Sequence, residues 1–206
     1  MKKLINALFS LKENQVYNVI NKRVKEFEEN GKSPKKIFSE LCFCFLTANF
    51  QAERSIKMQK KLEKDFFEAE EKELARKLKE EGHRFWPQRA EFIVLAREKR
   101  REIFKVIKNK NGKEVRDWFV HNIKGLGMKE ASHFLRNIGF KDVAIIDFHI
   151  VDLLFKNRLI KRPKSLTKKR YLEIEKILEK LGKESGLNLA ELDLYLWYLE
   201  TGKVLK

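Results

Sequence analysis

Apolar residues recur along most of the chain at the three- and four-residue spacing of an amphipathic helix. Gln15 to Glu29 gives the clearest stripe, and Pro34 to Thr47 is apolar enough to predict a central core helix. Ser33 before Pro34 is a favourable N-cap followed by a first-turn proline. The other segments predicted as helices are Ala52 to Lys79, Trp86 to about Lys108, Glu114 to Asn122, Met128 to Ile138, Asp147 to Phe155, Thr167 to Leu181 and Leu189 to Thr201.

One apolar run lacks the helical period. Val143 to Ile146 is rich in β-branched residues and is expected to cross the core in an extended form, without a partner strand. Only 9 Gly and 3 Pro occur in 206 residues, which favours long helices over many short strands. Asn188 and Glu191 have the spacing of a capping box before the last helix. The pattern therefore predicts an all-α fold of about ten helices.

The net charge of the chain indicates what kind of molecule it binds. The chain has 46 Lys and Arg against 30 Asp and Glu, a formal net charge of +16, and such a surface attracts polyanions. No apolar run approaches the length of about 18 residues that a spanning helix needs, and the first nine residues are too mixed for a signal peptide. We therefore expect a cytoplasmic, nucleoid-associated protein of a prokaryote that binds nucleic acid and no membrane. We also expect it to be a monomer.

The two cysteines are predicted to be buried free thiols. Cys42 and Cys44 lie two residues apart in an apolar run, where a disulfide would be strained and would close a trivial loop. Two cysteines also cannot supply the four ligands of an iron–sulfur cluster.

The segment from Ile123 to Ala131 contains a Gly-x-Gly pair between two predicted helices. Gly125 and Gly127 allow a sharp turn and leave the backbone N–H groups uncovered. Those N–H groups and the dipole of the following helix would bind a phosphate, and Lys124 would add positive charge. Two glycines at this spacing are by themselves more typical of an ordinary corner between helices.

The wider pattern resembles the helix-hairpin-helix motif of the DNA glycosylase superfamily, which includes endonuclease III and the 8-oxoguanine glycosylases. The matching hairpin positions are Ile123, Gly125, Gly127, Lys129 and Ala131, and those of the following Asp-x-His segment are Ile146, Asp147 and His149. Within the superfamily the chain is most similar to the small archaeal-type 8-oxoguanine glycosylases. The similar stretches are Leu46 to Asn49, Arg84 to Ala90 and Gly127 to Ala131. The chain departs from the endonuclease III branch because it lacks that branch's four-cysteine cluster.

The resemblance implies two helical lobes with DNA and the active site in the cleft between them. One lobe would comprise residues 1–30 and 140–206, and the other residues 31–139, ending in the helix-hairpin-helix. The implied activity is excision of 8-oxoguanine from duplex DNA, followed by β-elimination of the strand through a lysine Schiff base. Two alternatives remain open: a glycosylase/lyase for oxidised pyrimidines, and a non-catalytic helix-hairpin-helix module. A module that only holds DNA would need neither Lys129 nor Asp147.

Lys129 and Asp147 are the predicted catalytic residues. Only a neutral lysine amine attacks a sugar carbon, and the positive end of a helix disfavours the ammonium form of Lys129. Asp147 has the position of a helix N-cap, and the resemblance adds stabilisation of the cationic sugar and help in moving the lysine proton. His149 is expected to pack or to donate a hydrogen bond. No cofactor and no catalytic metal are predicted, because the other histidines lack the spacing of metal ligands.

Recognition of the base is assigned to aromatic residues and to the C-terminus. Phe85, at a predicted helix start, and Trp197, on the last helix, could stack on an extruded base, although core packing is the commoner fate of such residues. 8-Oxoguanine has an N7–H donor where guanine has an acceptor, so a reader must offer an acceptor there. Archaeal-type enzymes use their C-terminus in this pocket, which points to the Lys206 main-chain carboxylate. The alternative for Lys206 is a disordered tail.

Overall fold

The computed structural model describes all 206 residues and contains twelve α-helices and no strand. The helices are α1 (Lys2–Lys12), α2 (Val16–Gly31), α3 (Pro34–Thr47), α4 (Ala52–Glu68), α5 (Glu71–Glu80), α6 (Trp86–Glu98), α7 (Arg100–Asn109), α8 (Gly112–Asn122), α9 (Met128–Asn137), α10 (Phe148–Lys156), α11 (Lys168–Ser185) and α12 (Leu189–Thr201). The all-α prediction is confirmed. None of these helices combines the length and apolarity that a bilayer crossing requires.

Two segments predicted as single helices are each split in the structure. The predicted helix from Ala52 to Lys79 ends at Glu68, because the Arg97 guanidinium binds the Phe66 and Ala69 carbonyls at 2.8 and 2.9 Å. These hydrogen bonds satisfy carbonyls at the helix end, so the chain turns extended at Ala69. The predicted helix from Trp86 to Lys108 is likewise interrupted at Lys99, which separates α6 from α7.

Most other predicted elements agree with the structure to within a few residues. The capping box of Asn188 and Glu191 forms at the start of α12. Val143 to Ile146 has no regular secondary structure, and all four residues are buried. Cys42 and Cys44 are buried free thiols, and burial raises the pKa of both well above the usual thiol range. The pattern predicts no helix before Gln15, whereas α1 is present and buries Leu4 and Leu8.

The buried side chains form two separate hydrophobic cores. The first is built from α3 to α9 and reaches Val143, and the second from α1, α2, α10, α11, α12 and the segment after Val143. The chain therefore leaves the second core after α2 and returns to it at Ala144. The lobe boundaries at residues 30–31 and 139–140 stay a prediction, and the division of the two cores supports it.

Candidate active site in the cleft between the two cores

Helices α8 and α9 form a hairpin around the turn from Ile123 to Gly127. Ile123 and Leu126 are buried and fix the turn against the first core. Gly125 has a φ of +90°, and a Cβ at this residue would lie 2.3 Å from the Phe92 ring. A left-handed backbone and a close aromatic neighbour both require glycine at this position.

Gly127 has a different role from Gly125. Its backbone is extended, at φ −93° and ψ −175°, and it is the N-cap residue of α9. No side chain caps α9, so the first-turn N–H groups remain available to an external anion. Lys124, predicted to add positive charge beside these groups, is exposed and paired with Glu91.

Lys129 is the second residue of α9 and faces a cleft of about 990 Å³ between the two cores. Its side chain is 30 % exposed, and its Nζ lies 3.5 Å from a Glu130 carboxylate oxygen. The cleft walls come from the α3–α4 turn and the start of α4, the α5–α6 turn, α9, the segment after Val143 with the start of α10, α12 and the C-terminal residues.

Asp147 lines the same cleft from the opposite core. It is the N-cap of α10, and its carboxylate accepts a hydrogen bond from the Ile150 N–H at 2.9 Å. The four residues before it are buried, but Asp147 itself is half-buried and opens to the cleft. The structure therefore brings the two predicted catalytic side chains to one cavity.

The C-terminal Lys206 enters this cleft and is held by its own side chain. Its ammonium donates hydrogen bonds to Glu40 at 2.6 Å and to Gln59 at 2.5 Å. The same ammonium lies 4.4 Å from the centre of the Phe43 ring. The Lys206 and Glu40 side chains are only 13 % and 7 % exposed. The tail is thus anchored in the structure, in contrast to the disordered alternative.

Polar contacts continue from Glu40 to Arg136 and Asp193, which line the cleft. Glu40 accepts a hydrogen bond from the Asn137 amide at 2.9 Å, and Asn137 accepts one from Arg136 at 3.0 Å. Arg136 is in turn paired with Asp193. Burial raises the pKa of Asp193 to about 6, Arg136 opposes this rise, and the Asp147 charge adds to it. Charged and polar side chains therefore extend from Lys206 at the C-terminus to Asp193, which is close enough to Asp147 to be affected by its charge.

Two ring nitrogens in the cleft residues are buried and have no hydrogen-bond partner. They are Nε2 of His133 and Nε1 of Trp197. Burial lowers the pKa of His133 well below the ordinary histidine range, and the Arg136 and Lys129 charges lower it further. His133 is therefore neutral near pH 7. Buried polar atoms normally have a hydrogen-bond partner, so these two nitrogens are exceptions among the residues that line the cleft.

The aromatic residues divide between the cleft and the cores. Trp197 lines the cleft, and its ring meets His149 edge-on at 5.0 Å. Phe148 stacks on His149 at 4.3 Å and is 69 % exposed beside Asp147. Phe85 does not line the cleft: it is half-buried, with the guanidiniums of Arg84 and Arg89 at 4.6 and 5.4 Å from its ring centre. Its predicted place against the base finds no support in this geometry.

Sequence reasoning did not single out several cleft residues. His133 could have been predicted, because it lies four residues after Lys129 and therefore on the same face of α9. Glu40 and Gln59 could not have been predicted, because they lie far along the chain from Lys206, the residue that they bind. Asn49 has a left-handed φ of +56° in the cleft wall, a conformation that no pattern of apolar residues marks. No group of three or more His, Cys, Asp or Glu side chains is arranged to hold a metal ion.

The fold and the cleft define an all-helical protein of the helix-hairpin-helix class, with a lysine after the hairpin and a carboxylate facing it. A family model described as 8-oxoguanine DNA glycosylase matches residues 20–187. The 8-oxoguanine DNA glycosylase/AP lyase of Korarchaeum cryptofilum is 51 % identical over 205 residues, which cover 98 % of each chain. The chain therefore belongs to the 8-oxoguanine DNA glycosylase family.

Solved structures agree with this assignment over the whole chain. The Methanocaldococcus jannaschii 8-oxoguanine glycosylase/lyase, in complex with 15mer DNA containing 8-oxoguanine, has a TM-score of 0.95 and 50 % identity. The match covers 99 % of this chain and 100 % of that one. The 8-oxoguanine DNA glycosylase of Thermotoga maritima has a TM-score of 0.92 and 42 % identity, covering 100 % of this chain and 99 % of that one.

Proposed function

We propose that this protein is a bifunctional DNA glycosylase/AP lyase that excises 8-oxoguanine from duplex DNA. The observation that carries the proposal is the cleft shared by Lys129, which follows the hairpin, and Asp147, which begins α10. The family assignment indicates which lesion is excised, since the relatives that are 51 % identical to this chain are named for 8-oxoguanine. A module that only held DNA would not need an amine and a carboxylate facing one cavity.

Lys129 is the nucleophile of the proposed reaction. Its neutral amine attacks C1′ of the lesion nucleotide, the bond from C1′ to the base breaks, and the base leaves with the electron pair. Opening of the sugar then gives a Schiff base between Nζ and C1′, with loss of a proton from nitrogen. Removal of a C2′ proton breaks the bond from C3′ to oxygen and releases the strand 3′ to the lesion as a phosphate-ended product.

Asp147 stabilises positive charge in this scheme. Its carboxylate faces the cleft while one oxygen caps α10, so this hydrogen bond holds it in place. As the base leaves, positive charge develops on the sugar, and a fixed carboxylate lowers the energy of that state. The same carboxylate can accept a proton from the lysine ammonium before attack.

The hairpin binds the DNA backbone in this proposal. The uncapped N–H groups at the start of α9 approach a phosphate where Gly125 and Gly127 leave no side chain in the way. Lys124 adds positive charge, and release from Glu91 leaves it free to pair with phosphate. With a net charge of +16, the chain also attracts any duplex non-specifically.

The Lys206 carboxylate reads the lesion in this proposal. A terminal carboxylate is purely an acceptor, so it matches the N7–H of 8-oxoguanine and repels the N7 lone pair of guanine. The Lys206 side chain is fixed by Glu40 and Gln59, which limits the freedom of the last residue. Trp197 lines the same cleft and stacks on the extruded base in this proposal.

Extending the C-terminus is expected to separate recognition from strand cleavage. Three added residues, Gly-Ser-Gly, would remove the terminal carboxylate from Lys206 and leave both Lys129 and Asp147 untouched. We expect excision of 8-oxoguanine to fall at least ~100-fold, as for a site that loses a buried polar match, while cleavage of a preformed abasic site changes little. The control carries the same three residues before Met1. Equal excision by the two extended proteins would rule out the carboxylate as reader.

A panel of single-lesion duplexes tests the proposed function. Each duplex carries 8-oxoguanine, an oxidised pyrimidine, an abasic site or no lesion, and is incubated with the protein and borohydride. We expect covalent trapping on the 8-oxoguanine and abasic duplexes. Trapping on the oxidised pyrimidine and abasic duplexes but not on 8-oxoguanine would identify a pyrimidine glycosylase/lyase, and binding without trapping on any duplex would identify a non-catalytic module.

A further inference from the structure

Four buried side chains connect the two cores behind the cleft. We name them the buried clamp: Arg116 on α8, Ser132 on α9, and Tyr171 and Glu175 on α11. Each is at most 2 % exposed. Helices α8 and α9 belong to the hairpin and the first core, whereas α11 belongs to the second core. The clamp therefore ties the hairpin to the lobe that carries the opposite wall of the cleft.

Charge and hydrogen bonds hold the clamp together internally. Arg116 donates to both carboxylate oxygens of Glu175, at 2.5 and 2.8 Å, and also to the Ser132 hydroxyl at 3.3 Å. The Ser132 and Tyr171 hydroxyls are 3.3 Å apart, and the Arg116 guanidinium lies 5.6 Å from the Tyr171 ring centre. A bidentate ion pair of this kind fixes the relative orientation of the two side chains as well as their distance.

The clamp also binds the backbone just before Asp147. Glu175 accepts a hydrogen bond from the Ala144 N–H at 2.8 Å. The Tyr171 hydroxyl donates to the Ala144 carbonyl at 2.7 Å and accepts from the Ile146 N–H at 3.2 Å. This segment has no regular secondary structure, so side chains must satisfy its buried polar groups. Ile146 is the residue before Asp147, and Ser132 lies three residues after Lys129 on α9.

Stability alone does not explain this arrangement. Replacing a buried ion pair by well-packed apolar residues is often neutral or stabilising, so packing would hold the lobes together equally well. The clamp supplies directional hydrogen bonds that connect the hairpin helices to Ala144 and Ile146. Apolar packing would not supply them. The order of contacts runs from α9 through Ser132 and Tyr171 to the residue that precedes Asp147.

We propose that the buried clamp is a positioning device for base excision, in which Tyr171 fixes the Asp147 carboxylate relative to Lys129. Tyr171 is a positioning residue, because it is buried and does not line the cleft. This inference rests on the proposed function. A displacement of about 1 Å in a catalytic group can lower a rate by as much as ~100-fold, so release of Ala144 and Ile146 is expected to slow the chemical step without weakening DNA binding.

Tyr171→Phe tests the proposal, with Tyr195→Phe as the matched control. Tyr195 is equally buried, but its hydroxyl has no hydrogen-bond partner and it does not line the cleft. Single-turnover excision of 8-oxoguanine is measured with enzyme in excess, well below the melting temperature of both variants. The dissociation constant is measured on a duplex carrying a tetrahydrofuran abasic analogue, which cannot react. We expect Tyr171→Phe to excise about 10- to 100-fold more slowly than the control and to bind within twofold of it.

Equal excision rates for the two tyrosine variants would overturn the proposal, and so would a loss confined to DNA binding. If Tyr171→Phe does not fold by circular dichroism, Ser132→Ala replaces it, with Ser185→Ala as the control for a buried serine whose hydroxyl binds only its own helix. A smaller loss of excision rate, with unchanged binding, is then expected for Ser132→Ala alone. Failure of the unmodified protein to excise 8-oxoguanine would instead contradict the proposed function.

Discussion

Lys129→Gln is expected to abolish both borohydride trapping and strand cleavage while DNA binding is retained. Glutamine keeps much of the length of the side chain but has no nucleophilic amine. Removal of a covalent nucleophile costs at least ~1000-fold in rate when the remaining groups are intact. The hairpin N–H groups and Gly125 are unchanged in this variant, so affinity for an uncleavable abasic duplex should stay within a few fold. Trapping is read on a denaturing gel, with binding measured in parallel.

Lys124→Gln is the matched control for this variant. It removes a lysine five residues earlier, beside the same hairpin, which is exposed and paired with Glu91. The proposed function assigns Lys124 to the DNA backbone, so its loss should weaken binding and leave trapping intact once the enzyme is saturating. If Lys129→Gln traps DNA at the rate of the unmodified protein, another amine is the nucleophile.

Asp147→Asn is expected to slow base excision by at least ~100-fold, the scale of a positioned electrostatic or acid–base group. Asparagine is as good an N-cap as aspartate, and Asn111 and Asn188 cap α8 and α12 in this chain. The substitution therefore removes the charge and retains the hydrogen bond to Ile150. The measurement is single-turnover excision of 8-oxoguanine, together with the melting temperature.

Asp142→Asn controls for loss of a carboxylate charge in the same connecting segment. Asp142 accepts a hydrogen bond from the Gly112 N–H at 2.9 Å and does not line the cleft. This variant should excise at close to the normal rate. If Asp147→Asn melts earlier but matches Asp142→Asn in excision rate, then Asp147 serves only as a helix cap.

Local signals in the sequence were sufficient for most of the helices. Ser33 and Pro34 start α3, and the capping box of Asn188 and Glu191 starts α12, because caps act through neighbours within one turn. The end of α4 follows from a different cause. Arg97, on α6, binds the carbonyls at the C-terminus of α4. The spacing of apolar residues contains no information about a side chain from another helix.

The same distinction applies to the candidate site. Lys129, Gly125 and Asp147 lie in one short stretch of the chain, where the resemblance to the helix-hairpin-helix motif could identify all three. The anchoring of Lys206 depends on Glu40 and Gln59, from α3 and α4, which only tertiary packing brings to the C-terminus. The aromatic residues show the same limit: an aromatic side chain on a helix fits a core or a cleft equally well, and Phe85 lies outside the cleft whereas Trp197 lines it.

The most direct test of the central claim is the position of the trapped adduct. The protein is incubated with an 8-oxoguanine duplex and borohydride, the DNA is digested to its terminal nucleotide, and the modified peptide is located by mass spectrometry. A Schiff base formed by the proposed nucleophile predicts one reduced sugar adduct, on Nζ of Lys129. An adduct on the Met1 amine or on another lysine, with none on Lys129, would contradict the account.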